Sequence, residues 1–216
     1  MPRTRLTLLL TSCALAMTPS VSAQEAAVPI LPAVFKVTGL QAGDHLNVRS
    51  GPSAKADDIG DLQSGSLVEV TAMDTNVGWA QIAYGEWSAW VYARYLTSVE
   101  TPLIQGTDLP AMMVCGGTEP FWSFNVKDGT HVEFKMMGEA SVFEPITYAG
   151  KSSNHTLRQG LQTAQWSAFL EKRTCSDGMS DRQMGISIEL MSRETKQSTT
   201  HLSGCCGLSL GTDKGN

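Results

Sequence analysis

Four cysteines, Cys115, Cys175, Cys205 and Cys206, are the residues of this 216-residue chain whose types offer most chemistry. A thiol serves as nucleophile, metal ligand or disulfide partner, and its spacing and company separate these roles. No CxxC pair occurs, and no closely spaced histidine accompanies the cysteines, which points away from metal. His45, His131, His155 and His201 stand in no HExxH spacing. Cys115 precedes Gly116-Gly117, but no histidine occupies a recognisable partner position. The expectation is a chain with no catalytic residue, no metal and no cofactor, its cysteines paired.

Neighbouring Cys205 and Cys206 cannot bond each other without strain, and on an extended strand they point to opposite faces. They must reach different partners, which leaves two arrangements. Cys175–Cys205 with Cys115–Cys206 is the preferred one.

Two further sets of residues carry potential chemistry. In Cys175-Ser176-Asp177-Gly178-Met179-Ser180-Asp181-Arg182, oxygens of Asp177, Ser180 and Asp181 surround a flexible Gly178. Calcium takes six or more ligands, more than this loop supplies. It reads instead as a disulfide-anchored turn in which Asp177 accepts local N–H groups, with Arg182 pairing to Asp181 or Glu119. Glu119 to Trp122 reads likewise as a turn leading into the core. The second set is aromatic: Trp79, Trp87, Trp90, Tyr92 and Tyr95. On a strand Trp90 and Tyr92 share one face while Ala89, Val91 and Ala93 share the other. The small aliphatic face suits a core, so the aromatics are candidates for an outward groove that binds Pro-rich or wall-type peptides.

The elements that must position these residues are strands. Leu46 and Val48 alternate with Asn47 and Arg49, and Gly51-Pro52 then stops pairing. Phe35–Val37, Ile59–Leu62, Leu67–Val70, Gly78–Ile82 and Trp90–Tyr92 give further short strands with Gly-bearing turns between them. Further along, Phe121–Val126 and His131–Phe134 flank a Lys127-Asp128-Gly129 turn, Ile186–Leu190 alternates cleanly, and His201–Cys205 forms another strand. Residues 162–173 (QTAQWSAFLEKR) fit either a short helix or a strand and bend. The fold class expected is all-β: a small barrel, then a disulfide-bonded β-rich barrel or sandwich.

Arg3 and Arg5, the apolar stretch Leu6–Met17 and the small residues Val21-Ser22-Ala23 have the layout of a secretory leader. The apolar run is about a dozen residues, short of the roughly 20 needed to span a bilayer. Leu10-Thr11-Ser12-Cys13 also has the form of a lipid-attachment site, a minority alternative to cleavage after Ala23. Cleavage would shift the formal charge from −5 to about −7, which argues against nucleic acid as a partner. The organisation expected is a leader at 1–23, a flexible lead-in at 24–33, a barrel at 34–98 and a linker at 99–110. A second domain at 111–212 and a tail at 213–216 follow.

The order LNVRSGPS, LxxGxxVEV, GWAQI and GEWSAWVYARYL across residues 34–98 resembles bacterial SH3-like (SH3b) domains, small barrels of cell-envelope proteins. Cys115–Ser123 (CGGTEPFWS), Cys175–Arg182 and Ser203–Cys206 are similar to motifs of an uncharacterised family of bacterial envelope proteins. The resemblance implies a non-enzymatic periplasmic or secreted protein whose SH3b domain binds peptidoglycan peptide or another envelope ligand. The alternative is a protein–protein interaction module or an inhibitor of a wall-degrading enzyme. A cell-wall hydrolase fits least. Oligomeric state and ligand identity are left open.

Overall fold

The computed structural model describes residues 30–193 and 200–210. The expected leader, most of the lead-in and the tail lie outside the described residues. More than half of the described residues are strand, in two antiparallel sheets, which establishes the all-β class.

The first sheet contains β1 (Ala33–Val37), β2 (Leu46–Arg49), β3 (Asp58–Leu62), β4 (Leu67–Asp74), β5 (Trp79–Tyr84), β6 (Trp87–Tyr92) and β7 (Leu96–Ser98). Their order is β3-β2-β6-β5-β4-β1-β7, with a single 3-10 turn at Ala93–Tyr95 before β7. Alternation decides which side chains enter the core. Leu46 and Val48, Ala80 and Ile82, and Ala89 and Val91 all point inward and are buried with Phe35, Val37, Val68 and Val70.

β4 departs from alternation. Val68, Glu69, Val70 and Thr71 are all buried. Its second face is covered by the other domain, so Glu69 is taken out of water although it points away from the barrel core.

The second sheet comprises β8 (Met113–Gly117), β9 (Trp122–Lys127), β10 (His131–Met136), β11 (Val142–Pro145), β12 (Tyr148–Lys151), β13 (Arg158–Gln162), β14 (Trp166–Cys175), β15 (Met184–Ser192) and β16 (His201–Leu208). The order is β11-β10-β9-β8-β16-β15-β14-β13-β12. Its last strand pairs with its first, and the sheet curls into a half-barrel. Phe134 of β10 and Trp166 of β14, five places apart in the sheet, bring their ring centroids to 4.3 Å across the interior. Cys115 pairs with Cys206 across β8 and β16, and Cys175 with Cys205.

Three expectations change here. Residues 162–173 contain no helix: Trp166, Ala168 and Leu170 point inward along the ten-residue β14. Residues 99–110 are not a free tether, because Ile104 and Leu109 are buried in the second core and Leu103 bridges Pro110. Prolines and a glycine shape that loop, but its apolar side chains anchor it. The last residues of the expected lead-in are also packed, with Pro32 so close that a Cβ on Gly185 would lie 2.6 Å from it.

The motifs of the second domain converge as structural parts. A Cβ on Gly204 would collide with the Gly116 carbonyl oxygen and lie 2.7 Å from Trp122 Cζ2. The glycines therefore allow β8 and β16 to pass beneath the buried Trp122 indole. Asp177 Oδ1 accepts the N–H groups of Met179 at 3.0 Å and Ser180 at 3.1 Å, and the Ser180 hydroxyl at 3.3 Å. These bonds outweigh the opposing effect of partial burial and hold the Asp177 carboxyl below its ordinary pKa. Arg182 reaches neither Asp181 nor Glu119. It pairs with Glu69 of the barrel, because the turn projects it across the domain boundary.

Candidate functional site

Strand β6 runs along the wall of the first barrel and ends in Tyr92, from which the chain enters the 3-10 turn carrying Tyr95. Tyr92 lies against Gly78, whose φ of +75° favours glycine; a Cβ there would approach Tyr92 Cε2 to 3.0 Å. The Gly78 carbonyl accepts the Ala93 N–H at 2.8 Å, which fixes the turn beside the ring. On the neighbouring strand Trp79 is the cross-strand partner of Tyr92. The ring centroids of Trp79 and Tyr92 are 5.7 Å apart, and those of Tyr92 and Tyr95 are 6.2 Å apart with an edge-to-face tilt. These separations are typical of aromatic pairs that pack through ring edges and faces.

The three rings form one wall of a surface groove of about 480 Å³. Asn47 and Arg49 of the signature strand also line it. Asn47 Nδ2 donates to Asp58 Oδ2 at 2.6 Å, and Arg49 Nη1 lies 3.3 Å from the same oxygen. Arg49 Nη1 also donates to the Ala56 carbonyl at 3.3 Å. The two side chains thus brace the turn after β2 and line the same groove as the aromatics. The arrangement offers apolar stacking surface with fixed polar anchors, the pattern of a shallow peptide or small-ligand site.

Not every aromatic expected in the groove is there. Trp90 shares the side of Tyr92 but lies between Arg49 and Gln81 on the flanking strands and does not line the groove. Trp87 begins β6, five residues before Tyr92, and is roughly 17 Å away at the rise of an extended strand. It is 57% exposed and forms a backbone bridge with Asp181 of the second domain. Alternation along β6 puts Trp87 with Ala89 and Val91, on the face opposite Trp90 and Tyr92. Leu40, Asp44, His45, Ala54 and Val77 complete the groove from loops, where no periodic signal marks them.

Gly207-Leu208-Ser209-Leu210-Gly211 has the GxSxG spacing of a hydrolase nucleophile elbow. An elbow requires a strand-to-helix turn. Ser209 instead follows β16 and donates its backbone N–H to the Met112 carbonyl at 3.3 Å, with Gly211 outside the described residues. Among the described residues no three His, Cys, Asp or Glu side chains gather as a metal set.

With this geometry in place, the relationship of the chain to known families is clear for its first domain. Residues 44–97 match the bacterial SH3 domain family, covering β2 through the first residues of β7. No curated protein matches the chain. A bacterial SH3 domain is consistent with an envelope-binding module, and the disulfides are compatible with an extracytoplasmic location; among the described residues no helix is long and apolar enough to cross a membrane.

Proposed function

We propose that this protein is an exported, non-enzymatic binding protein of the bacterial envelope. In this reading its SH3 domain holds peptidoglycan peptide in the Trp79–Tyr92–Tyr95 groove. The convergence of those three rings in one groove with Asn47 and Arg49 is the observation that carries the reading. Peptide stems of the wall are short and polar, with methyl groups that pack on aromatic rings and amides that hydrogen-bond to fixed anchors. The groove supplies both kinds of contact on a preformed scaffold. Two disulfides in a small second domain suit an oxidising compartment, where such bonds persist.

Co-sedimentation of the full chain with purified sacculi tests the proposal. Binding should be saturable and should compete with free stem peptide. Absence of the protein from the pellet would remove the proposal.

A further inference from the structure

Gly150 of β12 faces Gly160 of β13, and the row continues through Phe169 of β14 to Glu189 of β15. Two glycines in register leave a trough on the outer face of the second domain. A Cβ on Gly150 would lie 2.6 Å from Tyr148 Oη, so the Tyr148 ring occupies space that side chains would otherwise fill. Tyr148 is 54% exposed and Phe169 is 56% exposed, and both line a groove of about 580 Å³.

One register along, Arg158 stands opposite Glu171. Glu171 Oε2 faces Arg158 Nε at 3.5 Å and Arg173 Nε at 3.6 Å, while Arg173 Nε also donates to Ser187 Oγ at 2.9 Å. One carboxylate therefore orients two guanidinium groups and neutralises the charge of one. The other charged members of the groove are engaged at its edges. Lys151 Nζ pairs with Asp108 at 2.6 Å, and Glu189 Oε2 binds His201 Nε2 at 2.8 Å and the Ser203 hydroxyl at 2.6 Å. The excess positive charge lies beside the exposed rings in a chain of net charge −5.

We propose that this groove binds a carboxylate-bearing sugar. Tyr148 and Phe169 would stack on the C–H face of the ring, Arg158 and Arg173 would receive the carboxylate, and Glu189 stands within the groove to meet hydroxyls. Guanidinium suits the anion because its planar fork matches a carboxylate edge. A peptide is a poorer occupant. β13, β14 and β15 are each paired on both sides, and the free edge of β12 faces away from them, so a strand added there would extend the sheet sideways rather than lie over the groove floor. This site lies on a different domain from the SH3 groove and does not depend on its function.

Calorimetric titration of the full chain with N-acetylmuramic acid and with N-acetylglucosamine tests the proposal, since the first carries a carboxylate that the second lacks. The acid should bind at least about tenfold more tightly. Arg158→Gln should abolish that preference, and Phe169→Ala should weaken the acid about tenfold. Tyr92→Ala, in the SH3 groove, should leave the titration unchanged. Both substituted groove residues are exposed, and thermal melts matching the parent confirm that each variant is folded. Equal binding of the two sugars, no binding of the acid, or parental titrations from both groove variants would overturn the proposal.

Discussion

Arg182 Nη2 donates to Glu69 Oε2 across 3.2 Å, joining residues 113 positions apart and tying the second domain to the SH3 barrel. The same carboxylate oxygen accepts the Leu208 N–H at 3.2 Å. Beside this pair Gln183 donates its backbone N–H to Ser88 Oγ at 2.7 Å. Glu69 is 1% exposed, whereas Arg182 retains partial contact with water. Burial raises the Glu69 carboxyl above its ordinary pKa; the Leu208 N–H and the Arg182 charge pull it back without cancelling that effect.

A raised folded-state pKa means that Glu69 favours the folded state below its unfolded value. That contribution is lost as pH rises through the folded value. Glu69→Gln should therefore remove this component from the pH dependence of stability and cost little at neutral pH. Arg182→Ala should cost about 3 kcal/mol, because it leaves the carboxylate buried with only the Leu208 N–H. Urea unfolding across the mildly acidic to neutral range checks both. Equal costs for the two variants at neutral pH would contradict the asymmetry.

Asp177 works in the opposite direction. Its pKa is depressed, so its contribution is present above the unfolded value and disappears as pH falls through the folded one. Asp177→Ala should cost about 1 kcal/mol at neutral pH by leaving the Met179 and Ser180 N–H groups without their acceptor. The difference between parent and variant should vanish in acid, as read by denaturant midpoints over a pH series.

Gly204→Ala should be among the most damaging single changes in the second domain. Its methyl group would meet the Gly116 carbonyl and the Trp122 ring with no room to turn aside. A loss of about 3 kcal/mol, at the upper end of ordinary overpacking, is expected. Thermal unfolding monitored by tryptophan fluorescence reads it through Trp122.

The disulfides should contribute according to the chain they close. Cys115–Cys206 spans 91 positions and Cys175–Cys205 spans 30. On loop-entropy grounds the two are worth about 4.6 and about 3.7 kcal/mol. Replacing each pair with serine and measuring unfolding compares them. Alkylation followed by intact mass should label none of these four cysteines before reduction and all four after it.

The SH3 barrel was legible because its core obeys period two: Leu46 and Val48, Ala80 and Ile82, and Ala89 and Val91 alternate with polar or larger neighbours. β14 was harder. Its outward Phe169 and inward Lys172 blur the alternation, leaving a spacing that a helix also fits. Residues 99–110 have the prolines and glycine of a linker, but Ile104 and Leu109 are buried, and composition alone does not distinguish a tether from an anchored loop. In the groove, Trp79, Tyr92 and Tyr95 come together because β5 and β6 pair and the following turn folds back. Trp87 does not: five residues before Tyr92, it falls on the opposite face of β6 by the same period-two rule and at the far end of the strand. The Glu69–Arg182 pair had no sequence signal at all, for it arises where two separate sheets meet.

Sacculus co-sedimentation with matched aromatic variants locates recognition in or outside the aromatic groove. Tyr92→Ala should raise the Kd for sacculi about tenfold, the loss of roughly 1.4 kcal/mol expected from removing a principal stacking ring. Trp87→Ala, at the far end of the same strand and more exposed to solvent than Tyr92, should bind as the parent does. If Tyr92→Ala remains folded and sediments like the parent, or if Trp87→Ala is the variant that fails, recognition does not occur in the Trp79–Tyr92–Tyr95 groove.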